Sequence, residues 1–161
     1  MTPQEAQNIG RTKTLKATGL IVAILLIIFI FNHTMGGFTE GILFVLETIL
    51  NIHFIVILTI LFSLTYLFGG IAGKEILLKK KNRVMTSLKY SVLIILIISV
   101  YISIIDVIKY SEYSSNNSQR LLTTYFFTLF IKTFNLTFFP IGVIWLWATN
   151  QMRLVEDKRI E

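Results

Sequence analysis

The chain has no cysteine, only two prolines and only two histidines in 161 residues. Without cysteine there is no disulfide, no thiolate nucleophile and no cysteine-based metal site, and the redox character of the compartment is left unmarked. His33 and His53 are too few to hold a metal without carboxylate help, so neither a metal nor a cofactor is expected. Charge is scarce as well: 15% of residues carry it, while 54% are apolar. Soluble domains average about 25% charged residues, and a chain this apolar cannot furnish a soluble surface. Zincin, P-loop, dinucleotide, nucleophile-elbow and rhomboid-type serine–histidine patterns are all missing. An enzyme is therefore not expected.

What is present is apolar sequence in long runs. Four stretches, at about 15–32, 52–68, 88–108 and 121–149, match the roughly 20 helical residues that cross a bilayer. They leave short loops and no room for a second folded domain. The expected fold is all-α: one polytopic transmembrane domain of four helices over residues 1–161, with tails at 1–14 and 150–161. The first run follows Arg11, Lys13 and Lys16, as in a signal sequence. Asn32-His33-Thr34-Met35 offers no small-residue cleavage site, however, so the run reads as an uncleaved first span. Abundant Ile, Lys and Asn fit a low-GC genome and point towards a bacterium.

Residues 1–14 are polar and are expected to form a loose tail or a short interfacial turn. In the first span Gly19 and Ala23 stand four apart, which would let a neighbouring helix approach closely. Residues 38–68 contain no proline and only Gly41. A continuous helix there would be about 45 Å long against a hydrocarbon layer of roughly 30 Å. A break near Asn51 is therefore expected, with residues 41–50 as a short interfacial helix before the second span. Gly69, Gly70 and Gly73 are expected to end that span. Residues 111–118 read as an exposed loop. Pro140 removes a hydrogen bond to the Leu136 carbonyl and should bend the fourth span.

Basic residues fall on one side. Three lie in the N-terminal tail, six between 69 and 89, and three in the C-terminal tail; the 32–51 loop has none and the 109–120 loop two. The positive-inside rule then places both termini and the 69–89 loop in the cytoplasm of a multi-pass cell-membrane protein, bacterial plasma membrane in particular. Topology thus explains the net charge of +6, and no nucleic-acid partner is expected. The run Lys79, Lys80, Lys81 and Arg83 is a topology determinant. It also suits anionic headgroups, at about 1 kcal/mol per basic residue near the surface.

One ionisable residue stands deep in a span. A charge at helix centre costs about 2.5–3.5 kcal/mol on insertion scales, and Lys132 lies roughly 8 Å outward of the fourth span's midpoint. Its butyl stem allows the ammonium to snorkel outward. Thr124, Thr128, Lys132 and Asn135 share one helical face. Ser99, Ser103, Asp106 and Tyr110 form a similar stripe on the third span. Glu47, Asn51, Thr59 and Ser63 form one on the second if its helix runs through Asn51.

Two arrangements satisfy these stripes. In one they face each other, making an outward-open polar cavity of Lys132, Glu47, Asp106, His53, Asn51, Thr128, Asn135 and Ser103, with Asp106 or Glu47 neutralising Lys132. In the other, the hydroxyls bond their own backbone, Asp106 pairs with Lys109, Glu47 sits in water and His53 packs between helices. Two functions follow. The first is a non-catalytic accessory or structural subunit that works by helix–helix packing on a membrane-protein partner or on copies of itself. The second is a small oligomeric transporter or channel built on the polar cavity. The first is favoured, because spans one–two and three–four show none of the internal repetition common in transporters.

Overall fold

A computed structural model describes residues 1–35, 37–113 and 119–157. Nearly all of them are helical and, among the described residues, none lies in a strand. Five helices follow in order: α1 (Pro3–Thr34), α2 (Phe38–Leu50), α3 (Ile52–Leu77), α4 (Arg83–Tyr113) and α5 (Gln119–Asp157). Four of them, α1, α3, α4 and α5, are long and apolar enough to cross a membrane. Of the expected 111–118 loop, residues 111–113 are the last turn of α4, and 114–118 lie outside the described residues.

The polar N-terminus is not a loose tail. It forms the first three turns of α1, started by a capping box in which the Thr2 N–H donates to Glu5 Oε2 and the Glu5 N–H donates to Thr2 Oγ1. Pro3 adds a φ already suited to the first turn. The break near Asn51 is present: Asn51 is extended, ends α2, and its side chain accepts from the His53 N–H at 2.9 Å to cap α3. Asn82 caps α4 in the same way, accepting from the Val84 and Met85 N–H groups. Pro140 lies inside α5, which is helical on both sides of it.

Gly69, Gly70 and Gly73 do not end a helix either. α3 continues to Leu77, and these glycines are where α1 lies against it. A Cβ on Gly10 would come within 2.8 Å of Gly73 Cα, and one on Gly69 within 3.1 Å of Thr14 Cβ. Backbone meets backbone along Ala6, Gly10 and Thr14 on one helix and Gly69 and Gly73 on the other, the small-residue geometry of membrane helix pairs. Thr14 Oγ1 seals the seam, donating to the Gly10 carbonyl at 2.8 Å and reaching the Thr65 carbonyl of α3 at 3.4 Å. Gly19 and Ala23, which could have admitted a helix, are not used within the bundle: a Cβ on Gly19 meets nothing within 4 Å, and Ala23 is exposed.

Around this pair the remaining helices are arranged by size complementarity. α4 packs along α5, and both touch α3; α1 touches α3 and α5 but not α4. Ser87, Ser91, Ser99 and Ser103 are fully buried on α4; the pairs four apart, 87/91 and 99/103, each share a face, and the line of serines winds gradually around the helix between them. Ile94, Ile95, Ile98, Ile141 and Trp145 form the central core with Tyr90 and Ala72. α2 rests on α1 and α3 alone, where Gly41 lets its backbone meet His33 and Thr34 and the Phe44 ring packs at a tilt against Phe29 and His33.

The outside of the bundle is as apolar as its inside. Ile27, Phe31, Ile55, Leu67, Ile104, Phe127 and Ile131 are among the large side chains left exposed. Water would not tolerate apolar patches of this extent, whereas lipid solvates them.

Candidate functional site

Polar and charged side chains gather in two places, around Lys132 and at the basic end of the bundle. The level of Lys132 follows from the α4–α5 register. Tyr110 stacks on Tyr125 with ring centroids 4.5 Å apart, and at the other end Arg83 donates to Asn150. Between these pins Lys132 is level with about Ser103, and Asp106 stands about one helical turn further out.

The polar stripe of α5 points away from the bundle. Thr124, Thr128, Lys132 and Asn135 are all exposed, and Thr128 Oγ1 donates back to the Thr124 carbonyl at 2.9 Å. Asp106 is half-buried and Ser103 fully buried on α4. Neither Asp106 nor Lys132 forms an ion pair with another described residue, whereas Lys81 pairs with Glu75. Glu47 is exposed on α2, a helix that touches neither α4 nor α5, so it is not brought to Lys132. Asn51 is exposed and engaged as the cap of α3, with the half-buried His53 in the next turn. Among the described residues, no three His, Asp or Glu side chains converge as a metal site would require.

The space inside the bundle is apolar instead. A cavity of about 350 Å³ lies between the helices, lined by side chains such as Leu25, Phe29, Ile57, Leu61, Ile102 and Trp145, with Thr18 and Thr48 among the few polar ones. None of the eight residues expected to make a polar cavity lines it.

At the other end the basic residues converge. Ala6 of α1, Ile76 and Leu77 of α3 and Met152 of α5 form one buried cluster, which gathers the basic start of α1, the 78–82 turn and the end of α5. Lys79, Lys80 and Lys81 are exposed there and Arg83 is half-buried. Lys80 takes a left-handed backbone conformation, φ 51°. Lys81 donates to Glu75 Oε1 at 2.7 Å, a bond that raises the lysine's pKa above its ordinary value. The Arg11 guanidinium lies 4.3 Å over the Tyr66 ring, and Lys89 lies 4.8 Å over Tyr90. Such cation–π contacts hold a charge beside apolar surface without a carboxylate. Sequence spacing gives no sign of the Arg11–Tyr66 pair, which depends on the α1–α3 seam.

The fold and these surfaces define a multi-pass helical membrane protein with one basic end. Compared with known proteins, the chain matches no family model, no curated protein and no solved structure.

Proposed function

We propose that this protein is a small, non-catalytic accessory or structural subunit of a membrane assembly, acting through helix–helix packing. One observation carries the reading: the polar stripe of Thr124, Thr128, Lys132 and Asn135 lies on the exposed face of α5, while the internal cavity is apolar. A transport pathway through one protomer needs polar groups facing inward, because ionisable side chains in spans ordinarily face the bundle interior or a water-filled space. A polar stripe facing out suits a neighbouring transmembrane helix that offers Lys132 a carboxylate, supplied by another membrane protein or by a second copy through Asp106. The basic end sits in the cytoplasm with both termini, against anionic headgroups. The membrane is a cell membrane, bacterial by composition.

The alternative, an oligomeric channel, would use the same stripe to line a pore between copies. Mild-detergent purification and flux measurements separate the two. The accessory reading expects a stoichiometric larger complex that Lys132→Met dissociates, and no ion or proton flux in liposomes holding the purified protein alone. Flux in wild-type liposomes that Lys132→Met abolishes would replace it with the channel.

A further inference from the structure

We propose that the apolar cavity is a lipid site that takes one acyl chain of a membrane phospholipid, entering from the leaflet on the α2 side. The cavity arises because two helix pairs diverge. On its cytoplasmic side α1 and α5 are sealed together by Ala17 and Ile21 against Ile144 and Ala148. Beyond that seam α1 is held to α2 by Phe29, His33 and Phe44, while α5 is held to α4 by the Tyr110–Tyr125 stack. α1 and α4 never touch, so a wedge opens between the pairs, with Pro140 on its wall.

The wedge is a poor place for water, and leaving it empty is costly. Its volume is about 350 Å³, far beyond the roughly 10–15 Å³ that one water needs. A buried water needs two to four polar partners. Here the Thr48 hydroxyl is already spent on the Phe44 carbonyl, and the rest of the wall is almost wholly aliphatic or aromatic. An empty apolar void forfeits the dispersion contacts of every side chain around it. The occupant must therefore be apolar, slender and present at this depth. The cavity is only partly enclosed, and Leu25 on its wall is 48% exposed, so it opens laterally onto the lipid. An acyl chain of the surrounding bilayer meets every one of these requirements.

Trp145 provides the test, since it lines the cavity yet is only 1% exposed. The other tryptophan, Trp147, is 48% exposed and is removed as Trp147→Phe. That variant is reconstituted into phosphatidylcholine vesicles with or without bromine at mid-chain, a short-range quencher of indole emission that acts across one layer of side chains. The expected result is loss of most Trp145 emission in the brominated vesicles. Adding Ile57→Phe and Leu61→Phe to fill the cavity should restore that emission, with unchanged helical circular dichroism confirming the fold. Native mass spectrometry of the wild-type protein should retain one phospholipid per protomer, and the filled variant none. Equal Trp145 emission in both vesicle types, or quenching that the filled variant leaves intact, would overturn the proposal.

Discussion

Gly10 of α1 and Gly73 of α3 lie backbone to backbone, so close that a Cβ on either would come within 2.9 Å of the other's Cα. Helix–helix association in lipid has no hydrophobic drive, since the solvent is as apolar as the side chains. Close approach of this kind, with its many dispersion contacts, joins the Thr14–Thr65 hydrogen bond and the Arg11–Tyr66 contact in holding α1 on α3.

Gly10→Ala and Gly73→Ala should therefore each destabilise the folded bundle by about 1–3 kcal/mol, the usual cost of overpacking. This runs against the ordinary gain of roughly 0.5–1 kcal/mol for replacing a mid-helix glycine by alanine. Gly19→Ala is the control: nothing lies within 4 Å of its added methyl group, and stability should hold or rise. Unfolding by graded denaturing detergent, followed by circular dichroism, measures all three.

The buried serines of α4 lead to a second expectation. Ser99 and Ser103 are fully buried, and their hydroxyls have no hydrogen-bond partner, so what matters at these positions is smallness. Ser103→Ala should be neutral or slightly stabilising, because an unpaired buried hydroxyl contributes nothing favourable. Ser103→Leu should cost about 1–3 kcal/mol by forcing the α4–α5 seam apart. The same unfolding assay reports both.

Orientation is open to direct labelling, since the chain has no cysteine of its own. Met35 and Lys80 are both exposed at opposite ends of the bundle. In intact cells a membrane-impermeant maleimide should label Met35→Cys at once, and Lys80→Cys only after permeabilisation. Replacing Lys79, Lys80, Lys81 and Arg83 by glutamine should weaken that asymmetry, because these charges bias the orientation.

Much of this fold is legible in the sequence, for a reason specific to bilayers. Crossing length and backbone satisfaction leave helices as the solution for an apolar run of this size, and the break at Asn51 follows from excess length. The first turns of α1 are less legible. Their polar composition suggests a tail, although Thr2, Pro3 and Glu5 spell out a helix start. Gly69, Gly70 and Gly73 are ambiguous in principle, because the same residue ends a helix or lets another helix touch it, and only the partner decides. The α5 stripe is a third case. Spacing places Thr124, Thr128, Lys132 and Asn135 on one face, but says nothing of where that face points. In water a polar face turns outward by default; in a bilayer the direction depends on what the neighbouring helices offer, which a single chain does not record.

The outward stripe is thus the centre of the functional account, and a photo-crosslinking amino acid at Thr128 tests it most directly. The same group at Ile27, a lipid-exposed position on α1, serves as the control. Irradiation of native membranes should yield a discrete protein adduct from Thr128, either a heteromeric partner or a doubled mass, and lipid adducts alone from Ile27. Lys132→Met in the Thr128 background should remove the protein adduct. Lipid adducts alone from both positions would contradict the account, because Lys132 would then face the bilayer without a partner.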